Sequence, residues 1–490
     1  MDNNAFLTDW GLTLMVFLPL AGALVMLAIP KGDEALLKGV SLLASLVTAG
    51  VGIAVLADFD YDRTDQLQFV RDNSWIDVIN SRYFLGIDGL SVPLVALTLL
   101  VVPLCIVYSW NHFPEPHNPK AFLTLILVLH TGMLGTFVAQ DLILFFVFFE
   151  VVLLPMYFLI GVWGGEKRQY ASIKFFLFTL FGSALMIVSF LALYFVAGGE
   201  SFAIPTLIEE IANRDVPLST QVLIFGGMFM GFGIKVPMFP FHTWLPDAHT
   251  QAPTVGSVIL AAVLLKLGTY GFIRVALPIL PEAAVEWAPY IGALAVIGII
   301  YGAVCCLAQT DMKRLIAFSS VAHMGFVMLG IATLTDYGIN AAIFGMVAHG
   351  LITGMLFFIA GSVKERYHTL EIKRLGGLLV SAPRMGWVFG LITMASLGLP
   401  GLAGFWGEFA AMWAAISPGA GLEDSYGGLY LGLVVAAAVG TVLTAGYFLW
   451  LMQRVNLGRP SSKWADATLD DVMTVEWISW LPLALIILAM

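Results

Sequence analysis

Charge is scarce in this sequence. Of 490 residues only 11% are Asp, Glu, Lys or Arg, whereas soluble domains carry about 25%. With so few cations, no basic cluster is large enough to follow a phosphate backbone, and nucleic-acid binding is excluded. Cysteine is nearly absent too: Cys105, Cys305 and Cys306 all fall inside apolar runs. There is no C-x-x-C and no set of four thiolates, so iron–sulfur clusters and structural zinc lack ligands. The opening MDNNAFLTDW has no basic stretch of the kind a secretory leader needs, and the first apolar run is expected to be retained. No low-complexity tract or flexible linker divides the chain.

What the sequence has in abundance is apolar surface. Hydrophobic residues make up 59% and the mean hydropathy is +0.91. A bilayer-crossing helix needs roughly 20 apolar residues, and such runs follow one another almost end to end. Segmentation places fourteen of them near 12–29, 35–57, 84–110, 121–139, 142–163, 171–197, 219–243, 253–276, 288–308, 312–334, 338–362, 384–415, 427–453 and 474–490. The chain stops inside the last, short run, so its final helix is expected to be incomplete. The expected fold is an all-α membrane protein of about fourteen transmembrane helices.

Lys and Arg distribute unevenly over the loops between these runs. Loops following odd-numbered spans hold fifteen of the 23, including Lys463; loops following even-numbered spans hold Arg63, Arg71, Arg82, Arg214 and Arg274. Lys174, Lys235 and Lys266 lie within spans. Cytoplasmic loops collect cations, which puts the odd loops inside and both termini outside. The even loops are acidic, from Asp58 to Asp77 and from Glu200 to Asp215.

A faint internal echo accompanies this alternation. Ala139-Gln140-Asp141 enters the fifth span and Ala308-Gln309-Thr310-Asp311 the tenth; prolines interrupt the seventh span (Pro237, Pro240) and the twelfth (Pro400). Each pair is five spans apart, and an odd shift reverses orientation across the membrane. The pattern predicts two inverted five-helix repeats, spans 4–8 and 9–13, with broken helices 7 and 12. The corresponding segments are 1–110 (three N-terminal helices), 111–276, 277–453 and 454–490. Paired interrupted helices mark transport sites in such architectures.

Against this background a few ionisable residues are out of place. One at mid-bilayer costs at least about 2.5–3.5 kcal/mol on insertion scales. Glu150 sits in LFFVFFEVVLLPMYF, nine residues past Asp141, and a rise of 1.5 Å per residue sets it roughly 13 Å deep. Lys235 precedes the break in GIKVPMFPFHTW, Lys266 is central in ILAAVLLKLGTYGF, and Glu408 follows Pro400 in GLPGLAGFWGEFAAM. Proline removes a donor and frees a carbonyl that protein or water must meet, so a charge beside such a break implies an internal hydrated space. Acids and bases at one depth suit proton transfer, because moving an opposite charge toward or away from a buried lysine switches it between holding and releasing its proton. The bland alternative is a set of static ion pairs that only fix helix packing.

His323 and His349 are candidate relays, since imidazole exchanges protons near neutrality; each also reads as a hydrogen-bonded packing residue. His130 reads as structural. Lys174, near the start of its span, either snorkels to the surface or joins the buried set. His242 and His249 lie in HTWLPDAHTQAP without a third metal ligand at suitable spacing, and no histidine pair offers a haem site. Gly231-Phe232-Gly233 lacks the strand–turn–helix setting of a dinucleotide fingerprint. Asp88, in LGIDGLS, reads equally as a helix cap and as a functional residue.

At these residues the sequence resembles the antiporter-like membrane subunits of respiratory NADH:quinone oxidoreductase (complex I), a family shared with Mrp-type cation/proton antiporters. The segments that carry the resemblance are GIDGLS (86–91), KFFLFTLFGSALM (174–186), KVPMFPFHTWLPDAHTQAPTVGSVILAAVLLKLGTYGFIR (235–274) and SLGLPGLAGFWGEF (396–409). It looks most like the chain 4 branch, which carries glutamate at position 408 where sister subunits usually have lysine. The resemblance implies that Glu150 pairs with and modulates Lys235, that Lys266 is a central relay, and that Glu408 lies on the periplasm-connected side. It implies that His323 and His349 stand between Lys266 and Glu408. It also implies a bacterial inner-membrane location and partners that include other membrane subunits of complex I, sister antiporter-like subunits and the lipid bilayer. FMN, iron–sulfur clusters and quinone would then reside in partner subunits, with no cofactor in this chain. The expected function is proton translocation driven by electron transfer elsewhere. The competing expectations are a Na+/H+ antiporter subunit and a structural membrane scaffold.

Overall fold

The computed structural model describes residues 5–460, 464 and 469–490; Lys463 of the loop tally lies outside them. Among the described residues, eleven helices are long and apolar enough to cross a membrane: Phe6–Ala28, Glu34–Asp58, Pro119–Val138, Leu142–Trp163, Arg168–Val196, Leu218–Lys235, Thr254–Ile279, Pro281–Leu307, Met312–Ala332, Asp336–Tyr367 and Leu422–Val455. Val92–Tyr108 and Thr474–Ala489 are shorter apolar helices. The twelfth predicted run is two helices, Pro383–Ser396 and Ala403–Ala414. Several helices begin at short polar side chains that accept from first-turn N–H groups, among them Asp33, Asn118, Asp141, Asp311 and Thr335. These caps satisfy donors that the helix itself leaves orphaned.

Two sequence expectations need correction. The third span does not begin at 84: Ser81–Ile87 is a strand, paired antiparallel with Gln68–Ile76. Asp88 accepts from the backbone N–H of Leu90 and Ser91, a side-chain-closed turn that ends the strand and lets the helix start at Val92. Hydropathy cannot separate strand from helix over so few apolar residues. Arg274, assigned to an even loop, is instead inside the Thr254–Ile279 helix, nearly buried and ion-paired to Asp88. A partner carboxylate lets a guanidinium sit where hydropathy alone would not place it.

Packing divides the chain into two compact units. The first comprises Met1–Gly164, Arg168–Val236 and Val263–Glu286; the second comprises Gly165–Lys167, Pro237–Ala262 and Trp287–Met490. Inside the first, Phe145, Phe149, Phe190, Phe232 and Phe272 form a continuous set of ring contacts. Inside the second, every residue of the Met312–Ala332 helix except Arg314 is buried, packed by Asp336–Tyr367 and Ala403–Ala414.

The echoed AQ-D segments share a local structure. Asp141 forms a bridge with Ala203, Leu142 N–H donating to Phe202 O and Ile204 N–H to Gln140 O. Asp311 forms the same kind of bridge with Glu371, Met312 N–H donating to Leu370 O and Ile372 N–H to Thr310 O. Both aspartates cap the helix that follows. Burial raises both carboxyls above their ordinary value, working against the N–H bonds each accepts.

Candidate functional site

In the first unit, Glu150 and Lys235 lie on helices brought together by aromatic packing. The Leu142–Trp163 helix turns at Val152, three residues before Pro155, which has no N–H to give to the preceding turn. One carboxylate oxygen of Glu150 accepts from Ser183 Oγ at 2.5 Å. Lys235 ends its helix, is 2% exposed, and its Nζ has no hydrogen-bond partner among the described residues. The ammonium stands 4.5 Å from the centroid of the Phe149 ring, a contact worth about 2 kcal/mol or more when desolvated. The expected Glu150–Lys235 pair is therefore indirect: serine holds the acid, the neighbouring phenyl face holds the base, and no hydrogen bond joins the two.

Lys266 is fully buried. Its short α-helical stretch, Leu265–Gly271, is flanked by π-helical turns at Leu260–Leu264 and Phe272–Ala276, departures that recur at functional sites. Gly268 accounts for the close packing here. A Cβ on it would stand 2.6 Å from Phe232 O and 3.0 Å from Val236 N, so only glycine lets this helix rest against the end of the one carrying Lys235.

In the second unit, the break in the twelfth run is made by Gly398 and Gly401, whose φ values of +82° and +94° favour glycine. After it, Glu408 meets His323: Oε1 lies 2.5 Å from Nδ1. The other carboxylate oxygen is buried with no hydrogen-bond partner among the described residues. Ser396 Oγ stands 3.4 Å from His323 Nε2, and the His349 ring centroid is 5.9 Å from that of His323. These four residues and Thr353 line one cavity of about 30 Å³, enough for water. A carboxylate, two imidazoles and hydroxyls around a water-sized space have what proton exchange needs.

Other flagged residues fall elsewhere. His130 is fully buried, with neither ring nitrogen hydrogen-bonded to any described residue. Lys174 is half-buried, its ammonium 5.6 Å from the Tyr170 ring centroid. His249 stacks on Phe357 at 4.5 Å and His242 on Phe239 at 5.7 Å. Among the described residues, no three His, Cys, Asp or Glu side chains come together to hold a metal ion. Ser183, Phe149 and Ser396 were not singled out by the sequence, since each is an ordinary residue of an apolar helix until its neighbour is known.

Known proteins resemble this chain over most of its length. The family model described as NADH:quinone oxidoreductase/Mrp antiporter, transmembrane, matches residues 139–422, and that for the amino terminus of NADH-ubiquinone oxidoreductase chain 4 matches 66–136. NADH-quinone oxidoreductase subunit M of Rhodobacter capsulatus is 41% identical over 485 residues, covering 96% of this chain and 91% of that one. NAD(P)H-quinone oxidoreductase chain 4 of a Synechococcus is 40% identical, covering 93% and 84%. A chain of respiratory complex I from Thermus thermophilus superimposes with a TM-score of 0.85 at 28% identity, over 98% of this chain and 95% of that chain. A chain of the Mrp complex from Dietzia shares the fold alone, with a TM-score of 0.84 at 21% identity over 98% of this chain and half of that one. The chain belongs to the NADH:quinone oxidoreductase/Mrp antiporter family of membrane proteins, in its subunit M (chain 4) branch.

Proposed function

We propose that this chain is a proton-translocating membrane subunit of an NADH:quinone oxidoreductase. Each unit contributes protonatable groups to the work: Glu150, Lys235 and Lys266 in the first, His323, His349 and Glu408 in the second. Lys174 is an auxiliary candidate. The single observation that carries this reading is the Glu408–His323 contact on a water-sized cavity, because a static ion pair has no use for an unpartnered carboxylate oxygen and adjoining room for water. Glu150, held by Ser183, biases Lys235 electrostatically without a direct hydrogen bond.

Moving one charge against 100 mV costs about 2.3 kcal/mol, so the chain works with a driver. Electron transfer through FMN, iron–sulfur clusters and quinone in partner subunits supplies it, and the coupling reaches this chain through sister antiporter-like subunits. The location is the bacterial inner membrane, with both termini outside and fourteen crossings. Residues 111–276 and 277–453 are inverted repeats, flanked by 1–110 and 454–490; the matching bridges at Asp141 and Asp311 support them.

The test is NADH-driven proton uptake by membrane vesicles carrying Lys235→Ala, with the amount of assembled enzyme measured alongside. Proton uptake falls severalfold per assembled enzyme if the reading holds. An assembled variant that pumps at the parental rate would overturn it. Loss of assembly with normal pumping by the remainder would favour a scaffold, and sodium-dependent proton exchange without NADH would favour an antiporter.

A further inference from the structure

Asp88 and Arg274 form a nearly buried ion pair, their side chains 9% and 10% exposed. Asp88 also accepts from Leu90 N–H, Ser91 N–H and Ser91 Oγ. Arg274 Nε donates to Tyr270 Oη at 3.0 Å, and that hydroxyl donates to Phe137 O at 2.8 Å. Ser91 Oγ lies 3.1 Å from Tyr270 Oη and 3.4 Å from the guanidinium. The cluster therefore gives a buried guanidinium three oxygen neighbours in fixed positions: the Asp88 carboxylate, Tyr270 Oη and Ser91 Oγ.

Its place on the helix matters. Lys266, Tyr270 and Arg274 follow one another at intervals of four residues. In an α-helix each such step drifts by about 40°, but the π-helical turn at Phe272–Ala276 takes more residues per turn and cancels part of that drift. The polar line from Lys266 toward the even-loop end of this helix thus ends on a permanent positive charge. Arginine stays protonated at any working pH, and a fixed guanidinium is a barrier to passing protons and cations.

We infer that the Arg274–Asp88 pair is a fixed-charge seal that stops a proton on Lys266 from escaping along its own helix to the even-loop surface. Asp88 orients the guanidinium and offsets the cost of burying it; Tyr270 and Ser91 hold it in register. All three are positioning residues, and the inference rests on the reading of Lys266 as a relay.

The test uses the whole enzyme reconstituted in liposomes without NADH, a potassium diffusion potential driving passive proton influx that an internal pH dye reports. Arg274→Gln is expected to raise influx about ten-fold or more, the effect of lowering a barrier by about 1.4 kcal/mol, and Lys266→Ala in the same chain to abolish the rise. Arg274→Lys, which keeps the charge, is expected to stay tight. If Arg274→Gln does not assemble, the double variant Asp88→Asn/Arg274→Gln, which leaves no unpaired buried charge, is measured instead. An assembled variant without the guanidinium that is as tight as the parent overturns the seal. So does a leak equal in Arg274→Lys, or one that persists after Lys266→Ala. Unimpaired NADH-driven pumping by Lys266→Ala alone would instead overturn the relay reading on which the seal depends.

Discussion

Gly407 lies so close to Gly345 that a Cβ added to it would stand 2.6 Å from the Gly345 Cα. The contact joins the helix carrying Glu408 to the helix carrying His349, at the residue next to the carboxylate. Close backbone approach at this point is what lets short side chains on the two helices share one cavity.

Substitution here should be asymmetric. Gly407→Ala drives a methyl into backbone and is expected to cost about 1–3 kcal/mol, as overpacking does. Gly345→Ala meets the tip of Val327 at 3.2 Å and the Gly407 Cα at 3.8 Å, which a small side-chain shift relieves. Thermal stability of the two assembled variants distinguishes them; equal losses would contradict the asymmetry.

Ser183 anchors the Glu150 carboxylate. A hydrogen bond to a charged group is worth about 1.5–3 kcal/mol, so Ser183→Ala should slow NADH-driven proton uptake by roughly ten-fold while leaving assembly intact. Parental pumping rates in Ser183→Ala would show that the serine does not set the position of the acid.

Arg366 and Glu476 make a two-bond ion pair, both bonds 2.8 Å, with Glu476 fully buried. Arg366 also donates to the carbonyls of Asp470 and Asp471, and the Asp471 carboxylate accepts from the first N–H groups of the Pro383–Ser396 helix. Glu476→Gln leaves a buried cation uncompensated and should cost about 3–5 kcal/mol, whereas Arg366→Met with Glu476→Leu should cost far less. Detergent-solubilised melting temperatures of the two variants provide the comparison.

Asp311 supplies a pH test. Burial raises its carboxyl above the ordinary 3.8, with Arg314 N–H and Lys313 pulling the other way. An acid whose folded value is raised binds more protons folded than unfolded. Its stabilising contribution is therefore present below 3.8 and is lost as pH rises through the folded value. Asp311→Asn keeps a capping oxygen and removes the titration, so its melting temperature relative to the parent should increase from pH 4 to pH 7, a window of about three units. A constant difference across that range would contradict the assignment.

Much of this protein follows from local composition. Hydropathy over about 20 residues places the membrane helices, because the cost of burying polar groups in lipid is a sum over each segment. The same economy exposes Glu150, Lys235, Lys266 and Glu408, each costly in its own apolar run. Prolines and glycines announce the breaks, since a missing donor and a positive φ are properties of single residues.

Partners are another matter, decided by packing between helices far apart in sequence. His323 and Glu408 are 85 positions apart, and Asp88 and Arg274 are 186 apart. That Lys235 finds a phenyl face and not a carboxylate depends on which side of the Leu142–Trp163 helix turns toward it, which no spacing rule states. Nor does apolar content distinguish the 84–91 segment as strand and turn, because its structure rests on pairing with Gln68–Ile76. Sequence alone determined what had to be buried; only the tertiary structure decided what each buried charge would meet, because the energy of an ionised group in a low-dielectric interior is set by its nearest few neighbours.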